Sequence, residues 1–305
     1  MNRAAIDIGS NSLLLTVVAP DGRILHDEAQ VVGLGKGLGD RGMFRTDRME
    51  AAEAVLAAYV HTAGALGVDP RHIKAVATSG ARRAMNAETW FERVRHRIGL
   101  QIVTVSGDEE ARLTWLGAQR DLSLPPEVIR LVVDLGGGST ELALGTGSSA
   151  AGRVSLELGT VRLTEAHLCG GPGAAGVPDR YDPTGREALE DEVDRALTRA
   201  PLTPRPSVVI GVAGTATTLA AMHLGLERYD GAAVHGAQVP RRALQQAADA
   251  LFGATSRERA SIARVSPERA DFLAAGAVVL ERVLGAAGVD TLTVSDRGLR
   301  FALVG

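Results

Sequence analysis

Two short stretches of this chain carry the same residue types at the same spacing. Asp7-Ile8-Gly9-Ser10-Asn11-Ser12 and Asp134-Leu135-Gly136-Gly137-Gly138-Ser139 both read Asp, aliphatic, Gly, two small residues, Ser. Glycine lets a backbone approach a ligand closely and turn its N–H groups toward it, and such a nest binds anionic oxygens. The Asp before each turn adds a holder for metal or water. A single Asp-Gly hairpin is an ordinary turn. Two that match over six positions point to a shared task, the binding of phosphate. Neither continues into Gly-Lys-Ser/Thr, so neither is a Walker loop. Each enters a strand-like run, which argues against a Rossmann turn.

Other residues could join them. Val209-Ile210-Gly211-Val212-Ala213-Gly214-Thr215 runs from a strand into a helix, where N-terminal amides and the helix dipole favour an anion. The alternative there is tight strand–helix packing through Gly214. Ser106-Gly107-Asp108-Glu109-Glu110 places acids in the first turn of a helix. Asp108 reads as dipole compensation, and spacing leaves open whether a glutamate activates water instead. Arg82 follows a strand end, as a phosphate clamp or a solvated arginine. Gly33–Gly39 reads as a flexible loop without a ligand of its own, able to border the site. Ser295-Asp296-Arg297-Gly298 reads as a cap for the last helix. The seven histidines show no metal-ligand spacing, and Cys169 reads as a structural thiol.

These residues need elements to position them. Strand-like and helix-like segments alternate, which predicts an α/β fold. A hairpin spans residues 4–18. A helix runs from Asp47, as N-cap, to Leu66, with Met49, Ala52, Leu56, Tyr59, Val60 and Ala63 on one face. Strands follow at Ile73–Ala77 and 102–105, with a helix between them capped by Asn86. Pro125-Pro126 marks the linker, giving lobes at 1–121 and 122–305, the terminal helix being free to pack back on the first. In the second lobe, strands are expected at 154–158, Val208–Val212 and Thr291–Val294, with a surface loop at 170–183. The stretch from 225 to 286 reads as mostly helical.

Composition narrows the class. The 305 residues carry a net charge of only −3 with no long run of like charge, so bulk electrostatics do not suggest a nucleic-acid binder. Of the 33 basic residues only Lys36 and Lys74 are lysine. One cysteine cannot form an internal disulfide. No apolar run reaches the roughly 18 residues of a membrane helix. No room precedes the strand at Ala4 for a signal peptide. A soluble cytoplasmic protein, without membrane or nucleic-acid partners, is the expectation.

The chain resembles the exopolyphosphatase / guanosine pentaphosphate phosphohydrolase (Ppx/GppA) family. The stretches that carry the likeness are AIDIGSNS (5–12), ATSGARRAMN (77–86), SGDEEARLTWLG (106–117), VVDLGGGSTEL (132–142), GVAGTATTLAA (211–221), PERADFLAAG (267–276) and VSDRGLR (294–300). The resemblance implies two ribonuclease-H-like lobes of the actin, sugar-kinase and heat-shock chaperone ATPase superfamily, with a cleft between them. It implies Glu110 as the catalytic glutamate, assisted by Arg82. It implies phosphate contacts at Gly9, Ser10, Asn11, Gly136, Gly137, Gly138, Ser139, Gly214 and Thr215. Asp134 and Glu141 match the metal-associated acids, with Asp7 their partner, for Mg²⁺ or Mn²⁺.

The resemblance further implies a homodimer and a hydrolase that removes terminal phosphate from inorganic polyphosphate. Guanosine pentaphosphate is the alternative substrate, and an ATP-dependent kinase of the same superfamily the alternative class. Two departures stand out. The family's loop before Arg82 commonly carries larger residues than Gly80-Ala81. The helical C-terminal domains of longer members do not follow, which predicts reduced processivity on very long chains.

Overall fold

The computed structural model describes residues 1–38, 42–169 and 176–305. The end of the Gly33–Gly39 loop, with Asp40-Arg41, and residues 170–175 of the expected surface loop lie outside the described residues. The chain forms two compact units, Met1–Gly117 with Leu299–Gly305, and Ala118–Gly298.

Unit 1 is a five-stranded mixed sheet of β1 (Arg3–Ile8), β2 (Ser12–Val18), β3 (Ile24–Val31), β4 (Ile73–Ala77) and β5 (Ile102–Thr104), in the order β3-β2-β1-β4-β5. Period-two alternation in β1 sends Ala4, Ile6 and Ile8 to one face and Ala5 and Asp7 to the other. The first face packs on helices α1 (Thr46–Ala65) and α3 (Ala87–Ile98), through Leu56, Tyr59, Trp90 and Val94. α2 (Ser79–Arg83) and α4 (Gly107–Ala118) follow the ends of β4 and β5. On the second face Val76, Val105 and Leu113 meet Leu299, while Ala5 and Val18 meet Val304 of the returning C-terminal segment. Asp7 therefore points toward the side that α4 and the terminal helix cover.

Three local expectations change. β3 was not foreseen, because ILHDEAQV is polar and half-exposed along its length, as an edge strand can be. Asp47 is not the cap of α1. Arg45 holds that position, and Asp47 sits in the first turn, paired with Arg45 at 2.9 Å and Arg48 at 3.1 Å. Asn86 does not cap α3 with its side chain. Its amide instead spans the Phe44 N–H and C=O, each at 2.9 Å.

Unit 2 repeats the plan with six strands: β6 (Arg130–Leu135), β7 (Thr140–Thr146), β8 (Ser149–Leu156), β9 (Val208–Val212), β10 (Gln238–Pro240) and β11 (Thr291–Val294). Read as β8-β7-β6-β9-β11-β10, the order is that of unit 1 with one antiparallel strand added. That strand, β10, interrupts the stretch expected to be helical; three residues are too few to show a period. Its helices include α5 (Thr160–Leu163), α6 (Gly185–Leu197), α7 (Ala213–His223), α8 (Arg241–Gly253), α9 (Ser256–Ala263) and α10 (Leu273–Ala287). α10 is buried almost all round and forms the centre of the core. The guanidinium of Arg259 is buried against the Asp271 carboxylate at 2.8 Å, just before α10. It lies over the Tyr181 ring and donates to the carbonyls of Pro178, Asp179 and Ala254. No helix among the described residues is long and apolar enough to cross a membrane.

Candidate active site

The two Asp-containing turns have the same geometry. Gly9 N–H donates to Ser12 O at 3.0 Å, and Gly136 N–H to Ser139 O at 2.9 Å. A Cβ at Gly9 would stand 3.1 Å from Ser12 O, and one at Gly136 3.2 Å from Ser139 O. A side chain at either glycine would therefore press on that carbonyl, which would have to give by a few tenths of an ångström. Each turn joins the first two strands of its sheet, and each Asp pairs laterally with the strand beyond: Asp7 with Val76, Asp134 with Val212.

The turns differ in what stands opposite the Asp. Asp134 is in register with Glu141, whereas Asp7 is in register with Leu14. Direct cross-strand partners share a face, and like charges there destabilise the pair. Two opposed carboxylates therefore suit a cation between them. Ser139 and Ser155 both donate to Oε1 of Glu141, at 2.7 and 2.9 Å, which orients the group and leaves Oε2 for another partner. Two carboxylates with water and phosphate oxygens match what Mg²⁺ accepts. Among the described residues no group of three or more His, Cys, Asp or Glu side chains converges as a metal cage.

Asp7 is in a different state. Its Oδ1 is buried without a hydrogen-bond partner. Burial, helped by the nearby Glu110 and opposed by Arg300, pushes its carboxyl up to about 7. Around the turn, Ser10 is wedged between two glycines. A Cβ at Gly35 would lie 2.9 Å from the Ser10 Cβ, and one at Gly80 2.7 Å from its Oγ. The small residue before Arg82 thus has a local reason in unit 1.

α4 separates its glutamates. Ser106 caps the helix, with Oγ accepting from Glu109 N–H at 3.2 Å. Glu109 turns outward into a bidentate pair with Arg112, both bonds at 2.8 Å. Glu110, 19% exposed, points the other way and meets Arg82 Nη1 at 2.7 Å. The same Nη1 donates to Val105 O at 2.9 Å, so the end of β5 fixes where Arg82 holds the carboxylate. Unit 1 therefore brings Asp7, Gly9, Ser10, Asn11, Arg82 and Glu110 to one end of its sheet.

Unit 2 gathers Asp134, Gly136–Ser139, Glu141, Gly214 and Thr215 at the corresponding end of its own sheet. Ala213 opens α7 at φ +69°, a left-handed conformation rarely adopted outside glycine. No side chain caps the helix. Gly214 O receives Thr217 at 3.3 Å, Thr218 at 2.7 Å and Arg269 at 3.1 Å, which holds the turn from its carbonyl side. Sequence reasoning missed the support from α10. A Cβ at Gly276 would collide with the Thr215 methyl and reach within 3.1 Å of Thr160. It also missed Ser155, which only the β7–β8 register places beside Glu141. Ser106 was legible as Ser-x-x-Glu, the spacing of a capping box.

The Ppx/GppA phosphatase family model matches residues 16–304. Exopolyphosphatase 2 of Mycobacterium tuberculosis is 33% identical over 322 aligned residues, spanning 99% of this chain and 98% of its own. The structure of a Ppx/GppA family member from Aquifex aeolicus superposes with a TM-score of 0.84 at 31% identity, covering 100% of this chain and 96% of that one. An exopolyphosphatase from Cytophaga hutchinsonii superposes with a TM-score of 0.86 at 25% identity, over 100% and 96% of the two chains.

Proposed function

The chain belongs to the Ppx/GppA phosphatase family, and from that premise we propose that it is an exopolyphosphatase, releasing terminal phosphate from inorganic polyphosphate. The observation that supports this reading most is the Arg82–Glu110 pair beside the Gly9–Asn11 turn. A carboxylate held by a phosphate-seeking guanidinium is suited to orient or deprotonate an attacking water. Phosphoanhydride cleavage needs positioning and charge neutralisation more than covalent chemistry.

In this reading Gly9, Ser10 and Asn11 hold phosphate from unit 1. Gly136, Gly137, Gly138, Ser139, Gly214 and Thr215 are the phosphate contacts of unit 2. Arg82 shifts from Glu110 toward a phosphoryl oxygen as Glu110 takes a proton from water. The family generally uses a divalent metal. Asp134 and Glu141, cross-strand neighbours in unit 2, would hold Mg²⁺, and Asp7 in unit 1 would be ionised by a cation brought near it. When bound, the ion neutralises charge on the transferred group. A cytoplasmic homodimer belongs to the same reading; light scattering that returned a monomer mass would remove the dimer from it.

The test compares kcat/KM for long-chain polyphosphate and for guanosine pentaphosphate with the purified chain. Polyphosphate is expected to win, and a preference for the pentaphosphate would overturn the substrate assignment. Transfer from ATP to an acceptor without polyphosphate hydrolysis would overturn the class. Glu110→Gln is expected to lower turnover by roughly 10²–10⁴ while substrate still binds. Wild-type turnover in that variant would remove Glu110 from its role.

A further inference from the structure

In both units the segment after the third strand folds across the neighbouring turn and is fastened there by backbone amides. In unit 2, Thr160 N–H donates to Gly136 O at 3.0 Å. Val161 and Arg162 both donate to Gly137 O, at 3.0 and 3.2 Å. In unit 1, Val32 and Gly33 both donate to Asn11 O, at 2.9 and 2.8 Å, and Gly35 donates to Ser10 O at 2.7 Å. The glycine-rich stretch expected to be a free loop is thus a strap over the first turn, as far as Leu38.

Each strap carries a cation. Arg162 in unit 2 is paired with Glu157 at 3.0 Å. Lys36 in unit 1 follows the fastened Gly35 directly and is exposed. It has no carboxylate partner among the described residues. Its own N–H closes a tight turn on Gly33 O at 3.1 Å. Gly35 has no space for a side chain against Ser10, so the strap cannot lift without breaking that packing. The Lys36 backbone is therefore held one residue from the turn, and its stem of about 6 Å sweeps the space beside it.

A solitary exposed lysine is ordinarily a solvated one. Three observations set Lys36 apart. The cation of its counterpart strap is paired with a carboxylate, whereas Lys36 has none among the described residues. Its strap is fixed by backbone hydrogen bonds to the turn assigned to phosphate under the proposed function. The only other lysine, Lys74, spends its ammonium on Leu303 O at 2.8 Å. An ammonium is also a compact charge with rotatable donors, whereas a guanidinium fork prefers one bidentate geometry. A polyanion that presents a new phosphate after every cleavage is better served by the first.

We propose that Lys36 is a second phosphate contact of unit 1, engaging a phosphoryl group further along the chain than the one at the Gly9–Asn11 turn. The assignment rests on the exopolyphosphatase reading and gives it a chain-length dependence. Kinetics of the full chain on tripolyphosphate and on long-chain polyphosphate test it. Lys36→Gln is expected to raise KM for long chains by about three- to fivefold, the scale of one exposed charge contact, and KM for tripolyphosphate by less. The salt dependence of the long-chain KM should flatten, since one cation fewer is neutralised. Lys36→Arg should recover only part of the loss, and Lys74→Gln should move neither KM. An unchanged long-chain KM and salt slope in Lys36→Gln, or equal losses on both substrates, would overturn the proposal. Absence of polyphosphate hydrolysis in the wild type would instead sink the exopolyphosphatase reading. Calorimetric binding of long-chain polyphosphate to wild type and Lys36→Gln then decides the role of Lys36 separately, equal affinities removing it.

Discussion

Asp7 and Asp134 occupy equivalent places in a repeated turn but face different cross-strand neighbours, Leu14 and Glu141. Leu14 opposite Asp7 offers no charge to share, so burial raises the Asp7 carboxyl to about 7. Its native pKa lies above the unfolded value of 3.8, so between those values the native state binds the extra proton. Stability from this group is complete below pH 3.8 and is lost as pH rises through 7. Asp7→Asn keeps the shape and removes the titration. Urea unfolding at pH 5.5 and pH 8 should show a smaller decline in the variant than in the wild type. An identical decline would assign the pH dependence to other groups. Spacing alone could not have told the two glutamates of α4 apart. Their separation depends on Arg112 one turn along the helix and on Arg82, which arrives from another element. The family resemblance pointed to Glu110, and the side-chain directions show how the two differ, Glu110 meeting Arg82 and Glu109 meeting Arg112.

At the scale of elements, what reads well from the chain is periodic and apolar. β4, β9 and β11 are short apolar runs and fall where expected. α1 buries Met49, Ala52, Leu56, Tyr59 and Ala63 of the face that helical spacing predicts, and leaves Val60 half-buried beside it. What does not read well is set by partners distant in sequence. β3 is polar because its outer edge has no strand beside it, and Asn86 is diverted by Phe44. The straps over both turns were invisible because glycine carries no pattern, only permission. Two substitutions test this level. Ala213→Gly removes a left-handed alanine before α7 and should stabilise by about 1 kcal/mol, strain relief exceeding the added chain entropy. Gly159→Ala drives a Cβ into the Gly137 backbone and should cost about 3 kcal/mol or more. Urea midpoints measure both, and a neutral Gly159→Ala would mean that the strap is not packed as described.

At the scale of the molecule, the same strand order occurs twice, so the α/β class and the duplication share one origin in the two hairpins. The units are not drawn the same way along the chain, because residues 299–305 belong to unit 1. Those residues bring Leu299, Phe301 and Val304 into its interior. Arg300 Nη2 meets the Asp27 carboxylate at 2.9 Å, with Nε donating to Thr16 at 2.6 Å. Removing 299–305 should therefore lower amide protection in β1 and β2 by at least about tenfold while β6 and β9 keep theirs. Hydrogen exchange resolved by segment would show it; equal loss in both sheets would contradict this division.

That return also sets an order in time. During translation Met1–Gly117 is made first, and all of Ala118–Gly298 is made before the segment that completes it. The half that is made first has to wait, with Ala5 and Val18 uncovered and Asp27 lacking its guanidinium, until the final helix appears. The earlier-synthesised half thus stays incomplete until residues 299–305 are made, and its bare sheet face is the surface that a nascent-chain chaperone would meet.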